Sequence, residues 1–232
     1  MIEISNLVKT FNKNTAVNIS LLTINKGEVV GLIGNNGAGK TTTFRLMLDL
    51  IQADAGYVNV NGIDVSKNEE WKLVTGSFID SNFLIDFFTP DEYFTFIGKL
   101  YKLGNTEIKA RLKKFDKFMN GEILNQKKYI RHFSSGNKQK IGIIGAMFIH
   151  PEILILDEPF NYLDPSSQIE MKYLLQTLNT QQGTTIIISS HNLNYVHDVS
   201  SRILLLEKGL IIKDVDNKNN ENISDIYQYF DN

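Results

Sequence analysis

Apolar and polar positions alternate at the start of the chain. "IEISNLVKTF" (2–11) and "NISLLTINKG" (18–27) read as strands with polar turns between them. "EVVGLIG" (28–34) is a short buried-type strand, and "TTTFRLMLDLIQ" (41–52) follows with apolar residues at helical spacing. "GYVNVNGIDV" (56–65) returns to alternation around an Asn-Gly turn. From about residue 87 helical patterns run to about 150, opened by Thr89 as N-cap, Pro90 at the first helical position and Glu92 completing a capping box. The strand pattern then resumes. "EILILDEP" (152–159) is stopped by Pro159, a helix runs from Asp164-Pro165 to Gly183, and "TTIIISSH" (184–191) is another strand. "RILLLEKGLIIKD" (202–214) reads as a hairpin turning at Glu207-Lys208-Gly209, followed by a polar break at 217–222 and a last short helix over 223–230.

Strands alternating with helices predict an α/β fold with a mostly parallel sheet, preceded by an antiparallel β subdomain and interrupted by an inserted α-helical subdomain. The expected division is a core of residues 1–86 and 151–213, a helical part at 87–150 and a tail at 214–232, all in one domain of 232 residues.

The bulk numbers mainly exclude. Hydrophobic residues are 42% and charged residues 22%, as in an ordinary globular protein. A net charge of -2 gives no reason to expect nucleic acid as a partner. Lysine and arginine between Lys99 and Arg131 read as a solvated helix face. The absence of cysteine removes disulfides and thiolate metal sites and fits a reducing compartment. No apolar run approaches the roughly 18 residues of a membrane span, and the start lacks a signal-peptide layout. The expectation is a cytoplasmic protein that reaches a membrane only through a partner.

Chemistry enters at "GNNGAGKTT" (34–42), set between a strand and a helix, the context in which a phosphate-binding loop forms. Gly34, Gly37 and Gly39 allow backbone to approach phosphate oxygens, and the helix start turns its N–H groups into the same concavity. Lys40 supplies charge for the β- and γ-phosphates, and Thr41 a hydroxyl for Mg²⁺. Asn35, Ala38 and Thr42 complete the candidate nucleotide contacts. "LILDEP" delivers Asp157 and Glu158 to the C-terminal end of a buried strand, where ligands of parallel sheets sit. Asp157 is placed to bind Mg²⁺ and Glu158 to polarise an attacking water. Kinases, GTPases and motors fit this much equally well. "FSSGN" (133–137), small and polar before a helix, offers a second anion site.

Taken together these motifs resemble the nucleotide-binding domain of an ABC transporter, from residue 1 to about 213. "FSSGN" stands where that family has "LSGGQ", with Ser134 and Gly136 retained and Phe133, Ser135 and Asn137 departing. The resemblance implies that Ser134 and Gly136 cap the γ-phosphate of ATP held by a second copy or a paralogue, so that two head-to-tail chains share two sites. It implies that Phe11 stacks on adenine (an early Phe taken alone is more often core), that Asp164 in "NYLD" lies near the dimer interface, and that His191 reaches the γ-phosphate. Asp80 stands where the family usually has a glutamine that contacts Mg²⁺, a pattern resembling exporters of drugs or peptides. The apolar "NFLIDFF" (82–88) fits the groove that receives membrane subunits, making Asp80–Phe88 the expected contact, although the same residues would also serve as helical core. The implied function is an ATPase subunit at the inner face of the membrane, powering translocation by separate membrane chains. The alternatives are a non-transport ATPase of the same type and a regulatory ATP-binding module.

Overall fold

Val29–Ile33 (β3) is five residues long and buried throughout, because both faces of its sheet are covered. In this computed structural model, which describes residues 1–217 with Ile226 and Tyr229, β3 sits inside a six-stranded sheet. The other strands are Thr75–Phe78 (β6), Ile153–Leu156 (β7), Thr185–Ser190 (β8), Arg202–Glu207 (β9) and Leu210–Asp216 (β10). Their order is β10-β9-β3-β8-β7-β6, parallel except for the antiparallel β9–β10 hairpin. Ile2–Phe11 (β1), Asn14–Ile24 (β2), Ala55–Val60 (β4) and Ile63–Asp64 (β5) form a separate antiparallel sheet in the order β2-β1-β4-β5.

Period-two alternation divides the central strands between two apolar cores. Val30, Leu32, Ile153, Ile155, Ile187, Leu204 and Leu206 face the antiparallel sheet and the helix Lys40–Met47 (α1), whose Phe44 and Met47 join the same core. Val29, Ile33, Leu154, Leu156, Ile186, Ile188, Ile203 and Leu205 face the helices. These are Pro90–Leu100 (α2), Asn105–Lys113 (α3), Asp116–Met119 (α4), Ser135–Met147 (α5), Pro165–Gln182 (α6) and Leu193–His197 (α7). Every residue of α5 from Gln139 to Met147 is buried, so this helix runs through the core and not over it.

Local signals explain most boundaries. Thr89 accepts from Glu92 N–H at 3.3 Å and Glu92 accepts from Thr89 N–H at 2.8 Å, the reciprocal capping box that starts α2. Asp164 caps α6 and Gly183 ends it in the left-handed region. The structure departs from expectation at four places. β2 begins at Asn14, four residues early, because Asn12 and Lys13 take positive φ and close a tight hairpin. α1 stops at Met47, well before residue 52, where Asp49 turns to φ 50°. No helix spans 120–129, where Asn120, Asn125 and Lys127 all have positive φ. β10 continues to Asp216, so residues 214–216 belong to the sheet and not to a tail. Apart from Asn217, Ile226 and Tyr229, the expected polar break and closing helix lie outside the described residues.

Candidate functional site

The strand order β3-β8-β7 brings three chain segments to one end of the parallel sheet. β3 leads into the glycine loop, β7 into Asp157 and Glu158, and β8 into His191. The loop's conformation depends on glycine. Gly39 has φ 108°, and a Cβ there would lie 2.4 Å from the Ala16 carbonyl, while Gly37 at φ 83° opens onto free space. α1 starts at once after Gly39 with no side-chain cap, leaving its first N–H groups for a ligand. A cavity of about 310 Å³ lies over them, lined by Ala16, Gly37, Lys40, Thr41, Thr42 and Glu158 among others.

Lys40 is buried, and its Nζ donates to the Gly34 carbonyl at 2.6 Å and the Asn35 carbonyl at 3.4 Å. Glu158 Oε1 is 3.4 Å from the same Nζ. Glu158 Oε2 meets His191 Nδ1 at 2.9 Å and the His191 N–H at 3.3 Å. Asp157 accepts from the Thr41 hydroxyl at 2.5 Å on one oxygen and from the buried Ser189 hydroxyl on the other. Burial pushes the Asp157 carboxyl above its usual range; the two hydroxyls pull it back, and the charge of Glu158 adds to the rise. Lys40, Thr41, Asp157, Glu158 and His191 therefore form one connected cluster.

The other predicted residues make contacts of their own. Phe11 is 46% exposed, with Lys9 Nζ 5.4 Å from its ring centre, so its alternative as a core residue fails. It sits at the tip of the β1–β2 hairpin, whose Ala16 lines the cavity. Asp80 follows β6, the neighbour of β7, but its carboxylate accepts from Asn82 N–H at 2.8 Å, and no hydrogen bond joins it to Asp157 among the described residues. Ser134 caps α5 by accepting from Asn137 N–H at 3.2 Å. Neither Ser134 nor Gly136 bonds the glycine loop of its own chain among the described residues. The Asn137 side chain is held by Glu122 at 3.1 Å, and Phe133 is buried under Lys128, 4.1 Å above its ring. Phe83 and Phe87 are 58% and 61% exposed, whereas Leu84 is buried, so 82–88 is partly core and partly an outward aromatic edge.

Two contributors escaped the sequence reading. Ser189 accepts from Glu158 N–H at 2.8 Å while donating to Asp157. Gln139 donates to the Glu158 carbonyl at 3.1 Å. A serine inside the apolar run of β8 was the available signal for the first; nothing local marked the second. A larger cleft of about 480 Å³ opens around Asp91, Lys109 and Asp116, but it shares no residue with this cluster.

Known proteins of similar sequence and fold identify the family. A family model described as ABC transporter matches residues 17–161. A bacitracin transport ATP-binding protein of Enterococcus faecalis is 34% identical over 98% of this chain and 71% of its own length. The ABC transporter ATP-binding protein NatA of Bacillus subtilis is 35% identical over 82% of this chain and 78% of its own. A dimeric ATP-binding cassette solved in a post-hydrolysis state with ADP and Pi superposes with a TM-score of 0.83 over 94% of this chain and 99% of that one, at 23% identity, a likeness of fold. With the glycine loop, the paired carboxylates and the histidine gathered at one sheet end, this chain belongs to the ABC transporter family, among its ATP-binding ATPase subunits.

Proposed function

We propose that two copies of this chain, or this chain and a paralogue, hold Mg·ATP between them head-to-tail and hydrolyse it to drive export of a drug or peptide through separate membrane subunits. The carrying observation is the placement of Glu158, whose carboxylate lies between Lys40 and His191 at the edge of the glycine-loop cavity. In this reading the α1 N-terminus and Lys40 hold the phosphates, and Phe11 at the hairpin tip meets the base. Glu158 takes the proton of the attacking water, and His191 orients that carboxylate and the γ-phosphate.

Mg²⁺ suits the donor set. Asp157 is a buried carboxylate raised by desolvation, joined to a hydroxyl, and a cation there offsets the cost of its charge. Thr41 and Asp157 would hold it, with Asp80 at the neighbouring strand end. The bound ion would supply charge neutralisation on the phosphates.

Ser134 and Gly136 have no task within their own chain's cavity, which supports their serving the partner's nucleotide. Export is supported by Asp80 in place of glutamine and by the bacitracin transport relatives; a spermidine/putrescine import ATP-binding protein of Haemophilus influenzae is 33% identical. No helix among the described residues is long and apolar enough to cross a membrane, which fits separate membrane chains docked at 80–88. Glu158→Gln is the direct test. It should bind ATP and dimerise on Mg·ATP in size-exclusion chromatography, with turnover reduced roughly 10²–10⁴-fold. Turnover equal to the parent's overturns the assignment.

A further inference from the structure

We infer that Gln139 is a positioning residue for hydrolysis: from the helix that begins at Ser134, its amide holds the main chain of Glu158 and so ties the aim of that carboxylate to the seating of α5. The inference rests on Glu158 acting as the base and on Ser134 facing the partner's nucleotide.

Glu158 is not in extended backbone. Its φ is 45°, a conformation that a residue with a Cβ keeps only when its surroundings impose it. Here they do so at both ends of the residue. The N–H is taken by Ser189 at 2.8 Å, and the carbonyl accepts from Gln139 Nε2 and from Asn161 N–H, each at 3.1 Å. Ser189 and Gln139 are both buried, and the Gln139 side chain makes no other hydrogen bond among the described residues. Turning Glu158 back to extended backbone would carry its carboxylate away from Lys40 and His191.

Gln139 lies little more than one turn beyond Ser134. From Gln139 onward α5 is buried on every side, so its start and its core move together. The same end of α5 packs on the loop that follows Glu158. A Cβ on Gly136 would come within 2.7 Å of the Tyr162 carbonyl, and Lys140 Nζ is 3.8 Å from Asp164. A nucleotide seated on Ser134 from the partner therefore acts on a helix that already grips the base of its own chain. Hydrolysis in one site depends on closure of the other through this bond.

The test uses steady-state turnover, Mg·ATP affinity and thermal unfolding of the full chain. Gln139→Glu keeps the shape and, when ionised, has no proton to donate, so it is measured at about pH 8 and above; Gln139→Leu removes both polar atoms. For Gln139→Glu, kcat should fall about tenfold or more while ATP affinity stays within about threefold. Added to Glu158→Gln, the same change should slow the residual rate by less than about twofold, because it acts through Glu158. Should Gln139→Leu fail to fold, Gln139→Glu carries the test. A folded Gln139→Glu variant with parental kcat overturns the inference, as does a full additional loss in the Glu158→Gln background. Either result with Glu158→Gln still slowed as expected leaves the site assignment standing. Parental turnover of Glu158→Gln alone overturns that assignment instead.

Discussion

The Thr41 hydroxyl donates to Asp157 Oδ2 across 2.5 Å, joining residues 116 apart in sequence. The other oxygen of Asp157 is held by Ser189 from the strand between β3 and β7. A carboxylate is thus fixed by two hydroxyls in a place where burial disfavours its charge.

That conflict predicts a trade between stability and function. Burial holds the Asp157 carboxyl above the usual carboxylate range in the folded chain. Its ionised form therefore costs folding free energy at neutral pH, and the cost disappears as pH falls through the raised folded value towards the ordinary carboxylate range. Asp157→Asn should melt higher than the parent without nucleotide at pH 7, by a few degrees if the gain is about 1 kcal/mol. The difference should shrink on acidification, and magnesium-dependent ATP turnover should be lost. Thermal melts across pH, with and without Mg²⁺, decide it. A variant less stable than the parent at pH 7 contradicts the sign.

Lys40 is the buried cation of the glycine loop, with two carbonyl acceptors and one carboxylate nearby. Lys40→Ala removes a charge-assisted hydrogen bond to phosphate, worth about 1.5–3 kcal/mol. Affinity for ATP, followed with a fluorescent analogue, should drop roughly 10- to 100-fold. Unchanged affinity would mean the phosphates lie elsewhere.

The aromatic edge at 82–88 yields a separate prediction. Phe87 packs edge-on against Phe88 at 5.3 Å, and Phe88 against Phe96 at 5.8 Å, while Phe83 and Phe87 remain mostly exposed. Exposed neighbouring rings of this kind suit the proposed contact with a membrane subunit. Phe87→Asp should abolish co-purification with the membrane subunit. Its thermal midpoint should stay within about 2 °C of the parent's, as for a surface change. A variant that still co-purifies moves the contact to another face.

What the sequence discloses follows from how local the signals are. The glycine loop could be read because strand, turn and helix are contiguous, and Asp157 and Glu158 because an apolar run delivers them to its end. The capping box at Thr89 is equally local, complete within four residues. Ser189 left only the trace of a polar residue closing the apolar run of β8 and Gln139 left none, because their partners in Asp157 and Glu158 come near only once β8 lies beside β7 and α5 packs against them. Phe11 stayed ambiguous between core and contact until its exposure at the hairpin tip removed the core reading. The run from 113 to 134 misled because its apolar residues Phe118, Met119, Ile123 and Ile130 are core residues without one continuous helix.

Gly136 offers a test of whether the start of α5 and the loop after Glu158 act as one surface. A Cβ there would sit 2.7 Å from the Tyr162 carbonyl, closer than real contacts allow, and the obstacle is backbone that cannot rotate away. Alanine is otherwise the better helix residue, by about 1 kcal/mol, so the substitution sets local propensity against that contact. The first turn of α5 must shift off residues 161–164, or the loop must yield. Both belong to the proposed shared site. Gly136→Ala should therefore melt below the parent while keeping near-parental ATP affinity as a monomer. Turnover and Mg·ATP-driven dimer formation in the Glu158→Gln background should both fall, the former by about tenfold. Chromatography and turnover measured side by side separate the cases, and full dimerisation with full turnover would show that the contact between Gly136 and Tyr162 has no part in ATP capture.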